Sequence, residues 1–404
     1  MRVNRVTRYN VAQSMTRSNR SNWLLAAAMT ALVLLLAEII LRIAAPVADP
    51  TRSAAEHVSA LNPYIRFEYP RGYAAVTEVE PGLHGINGRH FFTTNAYGFR
   101  GDALASPKPA GEYRVFVVGG STAECFYLDD DDDMSRVAQR ELSDASIGPT
   151  VKVYNVGLSG TATDDHIAMI AQRLVHLEPD AIVVLAGIND LRRSIQHYDY
   201  LHYFPKQAPS PPLYRMLLMK SQIVRRMAYL ARRIDPDPER VLETRSLKSD
   251  YAGKSALQHA APAATTTDLA VDTASFRRNL LTMAGMARSH GFLLVLGTHP
   301  SSWNSTVDSS IRNYHWMRLY DGVVHDEAAM DAALESLNDV TRAVAQEQSL
   351  LLWDLARVLP KSADAFYDDC HLNTAGALAA GRSLALVLRA AIPDSLRASK
   401  QEEP

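Results

Sequence analysis

From residue 114 onward the chain alternates short apolar runs with longer stretches of helical periodicity. The runs are "RVFVVGG" from Arg114, "VKVYNVGLSG" over 151–160, "DAIVVLAGIND" over 180–190, "GFLLVLGTHP" over 291–300 and "SLLLWDLA" over 349–356. Runs this short, rich in Val, Ile and Leu and lacking a polar alternate face, read as strands buried on both sides, as in a parallel sheet. Between the second and third, Ile167, Ile170, Leu174 and Leu177 recur at helical spacing and predict one helix. "DEAAMDAALESLNDVTRAVAQEQ" and "NTAGALAAGRSLALVLRAA" predict two more, after the fourth and fifth runs. Strand–helix alternation of this kind predicts an α/β domain over 111–395, with a five-stranded parallel sheet covered on both faces.

The rhythm breaks over 194–274, which is too long for an ordinary connection and predicts an insertion of short helices and a mobile loop. Its basic stretch "KSQIVRRMAYLARR" suits a solvated helix face, or a surface for a membrane or an anionic polymer.

The amino-terminal part follows a different pattern. Residues 1–22 carry Arg2, Arg5, Arg8, Arg17 and Arg20 and no acid. "WLLAAAMTALVLLLA" then runs without a charge, and "EIILRIAAPVA" prolongs it. Such a stretch reaches the about 20 apolar residues that span a bilayer if Glu38 and Arg42 are tolerated. Spaced i,i+4 with the acid first, the two can pair on one helix face. The reading is a basic cytoplasmic segment over 1–22, a transmembrane anchor over 23–46, and everything beyond it outside the cytoplasm: a single-pass inner-membrane protein with a periplasmic or extracellular catalytic domain. A cleaved signal peptide competes, against the long basic region, the two charges and the lack of a small-x-small site. Residues 47–110, with scattered Pro and Gly, predict a stalk and a lead-in segment of a few strands or irregular structure.

Composition narrows the chemistry. A formal net charge of −2 gives no reason to expect nucleic acid as a partner. Two cysteines exclude a disulfide-rich scaffold and a Cys-based zinc site. The acidic run Asp129–Asp133 lacks the spacing of an EF-hand loop and reads as the opening of a helix. "GGST" lacks the lysine of a phosphate-binding loop. No cofactor or metal is expected.

The polar residues that matter follow the strands. Ser121 comes after the first, Gly157 and Gly160 end the second, Asn189 ends the third, and Asp368, Asp369 and His371 follow the fifth in "FYDDCHLNTAG". Ligands of open α/β sheets bind outside the strands' carboxyl ends, so these groups share one edge. Gly-Gly-Ser alone is also an ordinary strand-to-helix turn with a serine cap. Together, however, the residues offer a nucleophile, a base and an orienting carboxylate. The N–H groups of Ser121 and Gly160 and the amide of Asn189 are candidate oxyanion donors. Asp368, three residues before His371, is the first choice of carboxylate and Asp369 the alternative. His299, ending the fourth strand, either lines the pocket or has a structural or solvent-exposed role.

These blocks resemble those of the SGNH hydrolase superfamily, or GDSL-type esterases: "GGST", "NVGLSGT", "GIND" and "DDCH" supply Ser, Gly, Asn and His in order. "TTNAYGFRGD" and an anchor ending in "AEIILR" look like membrane-tethered bacterial members. The resemblance covers roughly 114–391 without the insertion. It implies a flavodoxin-like three-layer α/β/α fold, Ser121 as nucleophile, Gly160 and Asn189 as oxyanion donors, and Asp368 and His371 completing a triad. One departure is the Gly-Gly-Ser-Thr of the first block, where the family has Gly-Asp-Ser. A nucleophile elbow of the Gly-x-Ser-x-Gly kind is absent, since Ala123 holds its last position. The expectation is an extracytoplasmic serine esterase removing acyl groups, especially acetyl, from envelope or exported glycans. An O-acyltransferase using the same acyl-enzyme is an alternative, as is an idle subunit of a polysaccharide export complex. If Ser121 and His371 meet, Cys125 and Cys370 come into one neighbourhood, where an oxidising compartment would favour a disulfide between them.

Overall fold

The computed structural model describes residues 6–47, 64–65, 68–79, 82–143, 150–197, 213, 217, 220–231, 243–246, 265–266, 269–307, 309–320 and 323–392. The chain divides into two units, one of residues 1–55 with 205–241 and one of residues 56–204 with 242–404.

The larger unit begins with β1 (Ala74–Val79) and β2 (Gly88–Thr93), an antiparallel pair. The central strands are β3 (Glu112–Gly119), β4 (Thr150–Gly157) and β5 (Ala181–Leu185). Two short strands come from the insertion, β6 (Glu243–Ser246) and β7 (Thr265–Thr266), and β8 (Leu293–Gly297) follows. The last are β9 (Leu319–Tyr320), β10 (Val323–His325) and β11 (Leu351–Trp353). Five strands, β4-β3-β5-β8-β11 in spatial order, form one sheet in which every pairing is parallel. Counted along the chain this is the order 2-1-3-4-5 of doubly wound flavodoxin-like folds, as expected. Central position explains the missing alternation: Val115 to Val118, all of β5, and Leu294 to Leu296 are buried, so neither face needs polar residues.

Helices Met134–Ser143 and Thr374–Ala391 pack together as one layer. Helices Thr163–Gln172, Thr273–His290 and Glu327–Glu347 form the other. Asp326 and Asn373 cap two of them by accepting N–H bonds from Ala328 and Gly376. The helix expected to run through Leu177 is shorter. It ends at Gln172 and gives way to a 3-10 turn, Leu174–Leu177. At the break, Arg173 has φ −131° and its guanidinium holds Glu68 and the Tyr97 carbonyl.

The lead-in segment is part of the same packing. Arg100 and Asn155 exchange both backbone hydrogen bonds (3.0 and 2.9 Å), adding an antiparallel bridge to the outer edge of β4. Of the expected insertion, the described parts are the helix Gln222–Leu230 and strands β6 and β7. The expected mobile loop lies outside the described residues.

The smaller unit contains the helix Val6–Ala44, of which Asn22–Ala44 is long and apolar enough to cross a membrane. Glu38 and Arg42 pair as expected, at 3.0 Å.

Candidate active site

β3 ends at Gly119, and after Gly120 the chain turns at once into a single helical turn, Ser121–Glu124. That turn lies flat on the end of β4: a Cβ at Gly157 would sit 2.3 Å from the backbone nitrogen of Glu124. Gly160 answers a different need. Nothing lies within 4 Å of where its Cβ would be, but its φ of +78° is the left-handed conformation that glycine adopts freely.

Ser121 Oγ is 2.8 Å from His371 Nε2, and His371 Nδ1 is 2.6 Å from Asp368 Oδ2. The hydrogen-bond pattern fixes the tautomer, with Nδ1–H donating to the carboxylate and Nε2 left to accept from the serine. Asp368 is fully buried, and its Oδ1 also accepts the backbone N–H groups of His371 (2.7 Å) and Cys370 (3.0 Å). One carboxylate therefore fixes both the ring and the backbone that carries it. The Tyr367 ring stacks on the imidazole at 5.7 Å and 12°. Of the two candidate carboxylates, Asp368 holds the histidine.

Asp369 does something else. It accepts from Trp303 Nε1 (2.8 Å) and from the N–H groups of Trp316 (2.8 Å) and Met317 (3.2 Å). Burial, then the charge of Asp368, pushes its carboxyl pKa up. Ser302 Oγ adds a bond to the Asp368 carbonyl at 2.7 Å. The loop that carries the histidine is thus bolted to two neighbouring segments.

Across from it runs the turn 158–161. Asn189 stands in the first turn of the helix Ile188–Ile195, and its Nδ2 donates to the Thr161 carbonyl at 2.8 Å. A Cβ at Gly120 would lie 2.6 Å from that same Nδ2. In this chain the asparagine amide occupies the space into which a side chain at 120 would project. Among the described residues no hydrogen bond engages the backbone N–H of Ser121 or Gly160.

Two residues that pattern reading passed over organise this side. Glu124 is buried, and its carboxylate accepts from Tyr69 Oη (2.6 Å), from Ser159 N–H (3.2 Å) and from Ser159 Oγ. Arg100, also buried, donates to the carbonyls of Glu124 (3.2 Å), Cys125 (2.8 Å) and Leu128 (2.6 Å) and to Asp130 (2.8 Å). It ties down the carbonyl end of the serine's helical turn. An acid inside the otherwise apolar "TAECFYL", three residues after the serine, was the available signal. As expected, the acidic run opens a helix: Asp133 caps Met134–Ser143 by accepting from Ser135 N–H at 2.8 Å.

His299 is buried with Nδ1 2.9 Å from the Pro300 carbonyl, and burial drives its pKa down to about 3, so it is neutral. The expected Cys125–Cys370 bridge is not formed. Neither thiol is in a disulfide, and both are buried. Cys125 Sγ turns to the Thr122 carbonyl at 3.4 Å, and Cys370 Sγ faces Met317 Sδ at 3.7 Å. The two sulfurs thus turn to different partners. Asp368, Cys370 and His371 present ligand-type atoms within 4.8 Å of one another. Nδ1 and Oδ2 of that group are already joined by the hydrogen bond that orients the ring.

Comparison with known proteins adds to this geometry. The profile of the GDSL-like Lipase/Acylhydrolase family matches residues 117–379. Among solved structures, the lipase/acylhydrolase from Enterococcus faecalis is 15% identical, covering 70% of this chain and 97% of its own, with a TM-score of 0.39. Axe2, an acetylxylan esterase from Geobacillus stearothermophilus, is 13% identical over 68% of this chain and 94% of its own, with a TM-score of 0.39. LAE5, an alpha/beta hydrolase enzyme from the metagenome of Lake Arreo, Spain, is 14% identical over 69% and 94%, with a TM-score of 0.38. No curated protein matches the chain.

Proposed function

Given that the chain belongs to the GDSL-like lipase/acylhydrolase family and is an esterase, we propose that it works through a Ser121–His371–Asp368 acyl-enzyme on the outer side of a membrane. The observation that carries the reading is the unbroken hydrogen-bonded run from Ser121 Oγ through both ring nitrogens of His371 to Asp368. Ser121 Oγ attacks the ester carbonyl while His371 Nε2 takes the hydroxyl proton. The oxyanion that forms is met by the N–H groups of Ser121 and Gly160 and by the second amide hydrogen of Asn189. Collapse expels the alcohol, which leaves with the proton carried by the imidazolium. Water, deprotonated by the same nitrogen, then releases the acid and returns the serine. Asp368 stays ionised throughout and holds the ring in its working tautomer.

The rest of the reading concerns place and substrate. Asn22–Ala44 anchors the chain, the arginines of 1–22 keep the first segment in the cytoplasm, and the esterase unit works outside it. There the accessible esters include acyl groups, acetyl above all, on envelope or exported glycans. Labelling with a fluorophosphonate tests the chemistry: the wild-type chain takes up one equivalent and Ser121→Ala none. Labelling that survives in Ser121→Ala would refute the nucleophile. Release of acetate from an O-acetylated glycan, measured beside p-nitrophenyl acetate, tests the substrate.

A further inference from the structure

The helix Gln222–Leu230 is joined to the end of the long apolar helix by bonds that run both ways. The Glu38 carboxylate accepts from the backbone N–H groups of Gln222 (2.7 Å) and Ile223 (3.1 Å) and from Ser221 Oγ (3.0 Å). An acid of the apolar helix thus caps a helix that begins 184 residues later. In return, Arg226 Nη2 donates to the Ala45 carbonyl (2.8 Å), Arg225 Nη1 donates to the Val47 carbonyl (3.2 Å), and Gln222 Oε1 accepts from Val47 N–H (2.8 Å). Arg42 reaches the Lys220 carbonyl at 2.7 Å while holding Glu38. Each helix end supplies the partners that the other end's unpaired backbone groups require, and in a low-dielectric layer such groups are costly when left alone.

Among the described residues the apolar side of this short helix has no comparable partner. None of its residues is buried; Met227 is 66% and Leu230 73% exposed, and Leu213, just upstream, is 71% exposed. Ile223, Met227 and Leu230 fall at i, i+4 and i+7, on one face. Nine residues are too few to hold a helix in water by themselves. The start of this helix is bonded to Glu38, within the bare apolar helix Asn22–Ala44, and the basic residues Lys220, Arg225 and Arg226 lie at the junction.

We propose that Gln222–Leu230 is an interfacial helix, seated in the non-cytoplasmic head-group layer of the bilayer that Asn22–Ala44 crosses. Ile223, Met227 and Leu230 face the acyl chains, and the junction's cations lie at the level of the lipid phosphates. The inference rests on the reading of Asn22–Ala44 as a membrane span, and the occupant of the exposed face is lipid. The test uses the full chain reconstituted in vesicles of phosphatidylethanolamine and phosphatidylglycerol. A nitroxide is placed at Met227→Cys, at Leu230→Cys or, as reference, at Leu34→Cys; Cys125 and Cys370 are buried. Spin relaxation by oxygen and by a water-soluble nickel chelate then reports depth. The expected result is a deep Leu34 label with Met227 and Leu230 labels protected from nickel and shallow. Labels at 227 and 230 fully open to nickel, with Leu34 deep, would overturn the interfacial helix and leave the span standing. Dipolar broadening between labels at 230 would assign the face to a second copy instead of lipid and overturn it equally. A Leu34 label open to nickel would remove the span and the inference with it.

Discussion

The two sides of the proposed catalytic site are built differently. On the histidine side, residues Ala365 to Asn373 are buried except for His371, and side chains do the holding: Asp368, Asp369, Trp303 and Ser302. On the acceptor side, Ser159 and Gly160 are exposed, and in the proposed mechanism the substrate meets the N–H groups of Ser121 and Gly160 and the Asn189 amide, with Glu124 holding the turn from behind. The base must keep one orientation through two proton transfers, so it is anchored in the core. In the proposed mechanism the oxyanion donors must be open to whatever ester arrives, and Gly160, the donor on the 158–161 turn, is exposed. Damage to the first side should therefore cost chemistry at Asp368 and fold at Asp369. Damage to the second should cost chemistry alone.

The largest effects belong to the residues shared by both sides. Ser121→Ala and His371→Ala should each reduce ester turnover by roughly 10⁴-fold or more with an unchanged circular dichroism spectrum. Asp368→Asn should cost about 10³–10⁴-fold in kcat by losing the tautomer. Asp369→Asn should leave kcat within tenfold but lower the melting temperature, since its amide cannot accept from three N–H donors. Equal kcat losses in the two aspartate variants would erase the division of labour between them. Asn189→Ala should lower kcat by roughly 10²–10³-fold with little change in melting temperature. A loss confined to KM would recast the amide as a ground-state contact. Glu124→Gln should cost on the order of 10-fold in kcat, through a displaced Gly160, at nearly constant KM. If it instead unfolds the protein, the acceptor side is as structural as the other.

The smallest effect is on the acid limit of stability. His166 lies behind the acceptor turn, its Nε2 3.2 Å from Thr161 Oγ1, and burial pulls its pKa down to about 4. The unfolded chain takes up this proton as pH falls through the ordinary histidine range, near 6.5, whereas the folded chain waits until about 4. Stability is therefore full above 6.5 and declines between 6.5 and 4, by up to about 1.4 kcal/mol per pH unit. Urea midpoints at pH 5 and pH 7 should differ less in His166→Asn than in the wild-type chain.

Much of the histidine side was legible in the sequence because its logic is local. Asp368 and His371 are three residues apart, and the strands announce themselves by composition. The acceptor side was legible only in its glycines and Asn189. Its supports are contacts between distant residues: Tyr69 and Ser159 meet at Glu124, 55 and 35 positions away, and no spacing rule links them. The disulfide expectation failed for a related reason. The Ser121–His371 contact is present, but side-chain direction depends on packing, and Met317 claims the Cys370 sulfur. The helix break at Arg173 was equally invisible, because its partners Glu68 and Tyr97 lie upstream in the lead-in segment.

Arg100 has a consequence for anyone who wishes to shorten this protein. The family profile begins at residue 117, which invites a fragment trimmed close to it. Such a fragment would lack the guanidinium that closes three carbonyls behind Ser121, the Tyr69 hydroxyl on Glu124, and the strand partner of Asn155. The smallest piece that carries its own serine turn intact starts before Tyr69. Evolutionary boundary and mechanical boundary differ here by about half a hundred residues, and a designer should cut at the second.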